Sequence, residues 1–360
     1  MVIGSAGAIY VAAVGARTPL GLQAAASAAS VRAALSAVQR HPYLVDNAGN
    51  LMPVTCDAQL DPTLIGPRRL LALLEPALRE AALPLVSQTG DSRGITCDEF
   101  RLAVSVGLPE IRPGFSANDA AAVCTGIESI VLPLPARDAE VHTLGHAAGL
   151  VALARIAQRI VADEIDLGLV AGVDSYLHPY TMEWLDANRQ VIGSISRSGF
   201  VPGEGAGACL LASGRACERL GLTPPMRLRD AVIGRESALI KSQEMCFGVG
   251  LTATLRQAVR SLRLPDERIH HTICDLNGER YRGEEWGFVC LRASECFDDP
   301  TDYLAPADCW GDLGAASGPL FVMLACQAIA RGYSNGRRRT AVWASSEGGC
   351  RGVALLESMA

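Results

Sequence analysis

The stretch from Asp138 to Ser175 restricts the fold of this 360-residue chain more than any other. An extended run, Glu140–Thr143, leads through a turn into a helix from Ala147 to about Ala162, and a buried strand, Leu167–Gly172, follows. Apolar side chains cover nearly every face of that helix, and this pattern predicts a helix enclosed in a core. Because the N-terminus of a helix presents a partial positive charge and unpaired N–H groups, His146 in front of it is a candidate reactive residue.

The composition favours a globular protein with a large core, because 49% of the residues are apolar. The net charge of −6 argues against nucleic acid or an anionic membrane surface as a main partner. The sequence has no uninterrupted run of about 18 apolar residues, so we expect no membrane span. Its 12 cysteines are scattered singly, without a pair at metal-ligand spacing. We therefore expect reduced thiols in a cytoplasmic protein, with no metal and no cofactor.

Nearly all-apolar strand segments alternate with helical segments, which indicates an α/β fold with parallel-rich sheets covered on both faces. The two most apolar helices begin alike, with LGHAAG at 144–149 and LGAASG at 313–318. That similarity predicts an internal duplication. A short helix that ends in a double proline, within residues 213–225, predicts a boundary between an N-terminal half, 1–215, and a C-terminal half, 216–360.

Local patterns give further predictions. The alanine-rich segment from about Leu22 to Val38 predicts a helix, and Ser242–Leu262 predicts another. Residues 41–66 are interrupted by proline and glycine, which predicts an irregular segment. Glu204 in the PGEGAG turn is expected to hold that turn by accepting hydrogen bonds from backbone N–H groups or from an arginine.

Seven stretches together resemble motifs of the β-ketoacyl synthases of the thiolase superfamily. They are VAAVGARTPLG (11–21), LAVSVG (102–107), IDLGLVAGVDS (165–175), SGFVPGEGAGACLL (198–211), CDLNGERYRGEEWG (274–287), WGDLGAASGPL (310–320) and SSEGGCRG (345–352). The most specific piece is GFVPGEGAG, which is close to the family signature GFVxGEGAG. The resemblance implies an α/β, thiolase-like fold, in which two duplicated halves stack as α-β-α-β-α layers, and it implies a dimer.

The chemistry that this resemblance implies is a Claisen condensation. In the family, a cysteine at the N-terminus of the first core helix takes the acyl group, and two histidines assist decarboxylation and hold the oxyanion. Aligned on the VAGVDS strand and on Gly149, the cysteine position falls on His146. The two histidine positions fall on Asn277 and on Asp312, or on Gly311 in an alternative register.

Other family residues around the pocket are replaced as well. The lysine upstream of the second histidine falls on Ala307 or Pro306, and the phenylalanine of the closing glycine-rich loop falls on Glu347. Phe200 of the GFVPGEGAG stretch and Cys350 after the glycine pair are expected to line the pocket. Because every reacting group is replaced while the scaffold motifs persist, the resemblance implies a ketosynthase-like protein with a degenerate active site.

Each replaced residue has a structural and a functional interpretation. His146 either fills the former cysteine pocket or acts as a general base, kept neutral because the helix dipole disfavours imidazolium. Asn277 can donate a hydrogen bond but cannot shuttle protons. Asp312 either caps the helix Leu313–Arg331 or lies in the site, where a carboxylate would repel an oxyanion.

Two leading hypotheses differ in whether catalysis remains. The first is a non-catalytic protein, either the dimeric partner of a ketosynthase-like subunit or an adaptor or chaperone, for example for a secreted effector. The second is an acyl-thioester hydrolase or acyltransferase with His146 as base and Asn277 as oxyanion donor, and a third is acyl binding without turnover. By resemblance, the homodimer or heterodimer pairs the edge strand Glu140–Thr143 with its mate about a two-fold axis, and an acyl carrier protein is a further expected partner.

Overall fold

A computed structural model describes residues 8–89, 99–193 and 196–359 of the chain. In chain order the strands are β1 (Ile9–Arg17), β2 (Gln39–Val45), β3 (Leu51–Val54), β4 (Leu102–Leu108), β5 (Ala136–Thr143), β6 (Leu167–Ser175), β7 (Glu204–Ser213), β8 (Met226–Arg235), β9 (His271–Cys274), β10 (Tyr303–Leu304), β11 (Arg339–Ser345) and β12 (Cys350–Ser358). The helices are α1 (Ala24–Arg32), α2 (Gly66–Thr89), α3 (Ala117–Glu128), α4 (Ala148–Val161), α5 (Pro179–Ala187), α6 (Gly214–Leu220), α7 (Val249–Ala258), α8 (Arg280–Arg292), α9 (Ala307–Trp310) and α10 (Ser317–Ala330). Single 3₁₀ turns precede two of them, Gly145–Ala147 before α4 and Gly314–Ala316 before α10.

Ten strands form one sheet in the order β10-β9-β11-β12-β8-β1-β7-β6-β4-β5. This order contains one five-strand pattern twice. In the C-terminal half it is β10-β9-β11-β12-β8, and in the N-terminal half, read from the other edge of the sheet, it is β5-β4-β6-β7-β1. With the β2–β3 hairpin left out of the count, both read third, second, fourth, fifth and first strand of the half. In both halves the first two of these pairs are parallel and the last two are antiparallel. An antiparallel pairing of β1 with β8, over Ile9–Val11, joins the halves. The repeated topology confirms the predicted duplication.

The sheet is less parallel than the alternation of strands and helices predicted. The last strand of each repeat, β7 and β12, runs antiparallel to both of its neighbours. The chain passes from β11 to β12 through the short turn at 346–349, whereas a parallel strand needs a crossover of a dozen residues or more. The parallel pairs lie at the two outer ends of the sheet, β10-β9-β11 and β6-β4-β5, and the strands between them are antiparallel.

The two core helices lie side by side in the middle of the molecule. Helix α4 packs on β4, β6 and β8, helix α10 packs on β7, β1 and β11, and the two helices contact each other. On the outer faces, α2 and α3 cover strands of the N-terminal half and α7 covers β8 and β12. The layers therefore run α-β-α-β-α, which confirms the α/β, thiolase-like fold. None of the described helices combines the length and the apolarity needed to cross a bilayer.

Three local predictions need correction. Helix α1 ends at Arg32, six residues short of the predicted Val38, because Ala34 has a φ of +52°, which is incompatible with a continuing helix. Helix α7 begins at Val249 and not at Ser242. Within residues 41–66, predicted to be irregular, β3 and most of β2 form a hairpin. The Asp46 carboxylate closes its turn by accepting from the Asn50 N–H at 2.8 Å.

Two contacts fix the framework around the core helices. A Cβ on Gly107 in β4 would lie 2.4 Å from the nitrogen of Gly149, so glycine at this position lets α4 approach the sheet closely. Glu204 is fully buried and accepts hydrogen bonds from Arg69 Nε at 2.5 Å and Nη2 at 2.6 Å. It also accepts from the Asp57 N–H at 3.0 Å, so its predicted role in holding the turn is confirmed.

Candidate functional site

The N-terminus of α4 is held by a residue from the C-terminal half of the chain. The Ala147 N–H donates to Ser346 Oγ at 2.9 Å, and the Ser346 hydroxyl donates to the Leu144 carbonyl. Gly145 makes the sharp turn with a φ of +66°, which glycine adopts without strain. His146 belongs to the same turn and is therefore fixed at the start of the core helix.

The N-terminus of α10 is held in the reciprocal way, by a residue from the N-terminal half. The Ala315 N–H donates to Asp174 Oδ2 at 3.0 Å. Asp174 is fully buried and accepts from Arg112 Nη2 at 2.5 Å. The two core helices thus begin close together, and each is anchored by the opposite half.

His146 and Asp312 form a buried pair at this meeting point. His146 Nε2 lies 3.0 Å from Oδ1 and 2.9 Å from Oδ2 of Asp312. The GFVPGEGAG stretch fixes the Asp312 backbone, because the Asp312 N–H donates to the Val201 carbonyl at 2.8 Å and the Gly203 N–H donates to the Asp312 carbonyl at 3.0 Å. The Asp312 carboxylate also accepts from the Gly314 N–H at 2.7 Å, in the 3₁₀ turn before α10. The expected capping of the helix itself is not found, because the residue at the N-cap of α10 is Ala316. Of the two alternative registers, Asp312 is the one whose side chain faces His146.

Asn277 lies beside this pair. Its Nδ2 donates to Asp312 Oδ2 at 2.6 Å and to Glu279 Oε2 at 3.1 Å, and its Oδ1 accepts from the Glu279 N–H at 3.0 Å. The three positions that the resemblance assigns to the cysteine and the two histidines therefore lie in one hydrogen-bonded group. Both N–H bonds of the Asn277 amide have acceptors, so neither is free to hold an oxyanion.

Arg282 completes the group, and the sequence reasoning missed it. Its Nη1 donates to Asp275 Oδ2 and to the Ser345 carbonyl, both at 2.8 Å. Its Nη2 lies 3.4 Å from Nδ1 and 3.3 Å from Nε2 of His146, so the guanidinium lies against the imidazole. A signal was available in the sequence. Asp275 and Glu279 lie seven and three residues before Arg282, and both form ion pairs with it.

The electrostatics of this group favour a charged pair. Burial pushes the pKa of the Asp312 carboxyl up, but the cations around it outweigh burial, so this pKa lies well below its usual range. Burial and the charge of Arg282 push the pKa of His146 down, but the Asp312 carboxylate outweighs both and the pKa is raised. The direction of this shift is opposite to the one expected from the helix dipole alone. The carboxylate is in direct contact with the ring, whereas the dipole supplies only partial charges.

His146, Asp312 and Arg282 have little access to a substrate in this arrangement. A nucleophile or a general base has to reach an atom of the substrate. The exposed fraction is 5% for His146, 3% for Asp312 and 1% for Arg282. The Nε2 atom of His146 is already hydrogen-bonded to the Asp312 carboxylate. The group is a sealed network of hydrogen bonds and ion pairs that connects the two halves of the molecule.

The three expected pocket residues lie in different surroundings. Phe200 is buried in a separate apolar cluster, with its ring centroid 5.3 Å from that of Tyr176. Glu347 lies in the turn after β11 and forms an ion pair with Lys241, the single lysine of the chain. Cys350 is half-buried at the start of β12, and burial raises the pKa of its thiol. The raised pKa gives no sign of an activated cysteine.

Glu236, Cys246 and Glu285 are the one cluster among the described residues with donor atoms close enough to hold a metal ion, all within 4.8 Å of one another. Glu285 Oε1 already accepts from Arg351 Nε at 2.7 Å, and the oxygens of Glu236 accept from the N–H groups of Ser237 and Gly250. Burial raises the pKa of the Cys246 thiol, which opposes its use as a thiolate ligand. The Arg351 guanidinium already supplies a positive charge to Glu285, and we propose no metal site here.

Comparisons with known proteins bear on the fold of the chain. Residues 87–216 match the family model described as "Beta-ketoacyl synthase, N-terminal domain". Among curated proteins, none matches this sequence. The AntDE:AntF complex, a type II PKS acyl-carrier protein with its ketosynthase bound to the hexaketide, contains a chain of similar structure. The TM-score is 0.78 at 14% identity, over 98% of this chain and 99% of that chain.

Two further solved structures have the same fold. For the ishigamide ketosynthase/chain length factor, the TM-score is 0.69 at 18% identity, with 98% of this chain and 100% of that chain covered. For the ketosynthase from module 6 of the bacillaene synthase from Bacillus subtilis 168, the TM-score is 0.73 at 16% identity, with 98% and 72% covered. This chain therefore has the thiolase-like fold of the ketosynthases, and its residues 87–216 match their N-terminal domain.

Proposed function

We propose that this chain is a non-catalytic ketosynthase-like protein that acts by binding other protein subunits. The observation that carries the proposal is the sealed group around His146, in which an imidazole paired with Asp312 lies where the resemblance expects a nucleophilic cysteine. An imidazole in contact with a carboxylate and a guanidinium cannot form the thioester that condensation requires. Asp312 would in addition repel a developing oxyanion.

The alternative of hydrolysis or acyl transfer by His146 receives no support from the contacts. A general base needs a free nitrogen within hydrogen-bond reach of a water or an alcohol. The Asp312 carboxylate contacts Nε2 of His146, and Arg282 lies against both ring nitrogens. We therefore do not propose that alternative.

The surface proposed for dimer formation is the free edge of β5. This strand is the last of the ten-stranded sheet, so one side of its backbone is not paired with another strand of the described chain. Its residues 139–143 are half-buried although they lie at the edge. An unpaired, regular edge is a template for pairing with another strand, and two copies of β5 related by a two-fold axis would satisfy both edges.

Two kinds of partner fit this proposal. One solved structure of the same fold is a ketosynthase/chain length factor and another includes an acyl-carrier protein, which supports a ketosynthase-like subunit as dimer partner and a carrier protein as a further one. The other kind, an adaptor or chaperone role for a secreted effector, uses the same non-catalytic scaffold. Size-exclusion chromatography of the chain alone and with each candidate separates these roles.

Intact-mass spectrometry tests the absence of catalysis. The protein is incubated with acetyl- and malonyl-pantetheine thioesters, and an active ketosynthase serves as positive control. We expect no acyl adduct on the protein and thioester hydrolysis equal to that without protein. We expect the same of the His146→Cys variant, because Asp312 and Asn277 remain in place of the two histidines. Hydrolysis by the wild-type protein that is lost in His146→Gln would overturn the proposal.

Hydrogen exchange tests the dimer surface without a variant. We expect the backbone amides of 139–143 to exchange more slowly at high protein concentration, where the dimer forms, than after dilution below its dissociation constant. The opposite sheet edge, Tyr303–Leu304 in β10, is the internal control and should exchange equally at both concentrations. Concentration-dependent protection that appears at β10 and not at β5 would refute the assignment of the surface.

A further inference from the structure

A cavity of about 660 Å³ lies between α1, α10 and the β9–β10 edge of the sheet. Its walls are apolar and consist mainly of small side chains of α1 and aliphatic side chains of α10 and β9, namely Ala25, Ala28, Ala29, Ile273, Leu324 and Ala328. Pockets for small molecules have volumes of roughly 300–1,000 Å³ and mostly apolar walls. This α1–α10 cavity thus has the size and the lining of a ligand site.

The charges that line the α1–α10 cavity all have one sign. Arg32, Arg331 and Arg337 line it, and no aspartate or glutamate does. The chain as a whole has a net charge of −6, so three guanidinium groups around one apolar cavity are opposite to the average of the protein. Local charge of this kind favours an anionic ligand.

Two of these arginines are available for a ligand. Arg337 is already paired with Asp302 at 2.6 Å. Arg32 lies over the ring of Tyr333, 3.5 Å from its centroid, and in the part of the chain that the structure describes neither Arg32 nor Arg331 has a carboxylate within ion-pair distance. A guanidinium presents a planar fork of N–H donors that matches the two oxygens of a carboxylate.

We propose that the α1–α10 cavity binds a single-chain fatty carboxylate of medium length, with the alkyl chain between α1 and α10 and the head group at Arg32 and Arg331. The apolar walls account for the chain, and the unpaired guanidinium groups account for the charge of the head. A neutral amphiphile would bury the same alkyl surface but would leave both arginines without a carboxylate. The ligand site is lined by none of the residues of the His146 group, so it is independent of the proposed function.

Isothermal titration calorimetry with decanoate, kept below its micelle concentration, tests this assignment. We expect saturable binding of one decanoate per chain, with binding of decan-1-ol at least about tenfold weaker, because the charged hydrogen bonds of the head group are absent. Acetate, which has the head group without the chain, should not bind measurably. A helical peptide with an apolar face and acidic flanks is titrated in parallel.

Variants locate the binding site. The double substitution Arg32→Gln with Arg331→Gln should weaken decanoate binding at least about tenfold and leave decan-1-ol binding unchanged. Ala28→Leu, which fills the space between the helices, should weaken both ligands. The matched control is Arg79→Gln on α2, an exposed arginine paired with Glu75 and not part of the cavity lining, which should bind decanoate like the wild type. Circular dichroism confirms that each variant is folded.

Three results would overturn the proposal. They are absence of saturable decanoate binding to the wild type, equal affinity for decanoate and decan-1-ol, and decanoate binding that the double arginine substitution does not change. Binding of the acidic peptide, displaced from the cavity by Ala28→Leu, together with no binding of decanoate would assign the cavity to a protein partner instead.

Discussion

Replacing Asp312 by asparagine is the sharpest test of the sealed group. The substitution keeps the shape of the side chain but removes the charge that His146 contacts at 2.9 Å. It also presents an amide where the Asn277 Nδ2 donor approaches to 2.6 Å. His146 would then remain buried beside a neutral group, whereas Arg282 keeps its ion pair with Asp275. Removing one partner of a buried ion pair costs about 3–5 kcal/mol, so we expect a loss of that size in the free energy of unfolding.

The pH dependence of the loss follows from the direction of the pKa shift of His146. The folded-state pKa is raised above the unfolded value of about 6.5, so the pair stabilises fully below that pH. That stabilisation is lost as the pH rises through the raised folded-state pKa. Without the carboxylate, burial and Arg282 lower the pKa of His146 instead. The difference between wild type and Asp312→Asn should therefore be larger at pH 5.5 than at pH 8.5.

Urea denaturation, followed by tryptophan fluorescence at both pH values, measures the effect. The control is Asp163→Asn, which removes an exposed carboxylate paired with Arg101 and Arg215 and should cost less than about 1 kcal/mol. A loss below about 1 kcal/mol for Asp312→Asn at pH 5.5, or a loss that is equal at both pH values, would show that the pair does not stabilise the molecule as reasoned here.

Three further predictions rest on particular contacts. Glu204→Ala should lower the free energy of unfolding by about 3–5 kcal/mol, because it leaves Arg69 buried without its carboxylate. Glu75→Ala, which breaks an exposed i,i+4 pair, should lower it by about 0.5 kcal/mol. Urea denaturation measures both losses. Gly107→Ala should abolish soluble expression, because its Cβ would lie 2.4 Å from the Gly149 nitrogen. Gly283→Ala, where nothing lies within 4 Å of the added Cβ, should stabilise α8 by up to about 1 kcal/mol. Equal soluble yields of the two variants would contradict the packing of Gly107. Burial raises the pKa of Cys209 to about 12, so iodoacetamide at pH 8 should leave it unmodified in the folded protein and alkylate it in urea, as peptide mass spectrometry would report.

The sequence patterns predicted an α/β fold with an enclosed helix in the 144–175 region and an internal duplication from its echo at 313–318, and the family resemblance implied the layered arrangement. The resemblance also predicted that His146, Asn277 and Asp312 (or Gly311) stand at the positions of the reacting groups, because the spacing of the motifs can be read from the chain itself. The sequence did not predict where α1 ends or that β2 and β3 form a hairpin. The positive φ of Ala34 and the turn closed by Asp46 depend on contacts that composition does not encode.

Only the tertiary structure decided the state of the site. Residues 146, 277, 282 and 312 come from separate elements, and the charge of an imidazole depends on what lies within a few ångströms of it. The helix dipole, which can be inferred from sequence, predicted a neutral ring, whereas the Asp312 carboxylate at 2.9 Å raises the pKa of His146. The grouping of Arg32 with Arg331 around one cavity likewise exists only after α1 packs against α10, because the two residues are far apart in the chain.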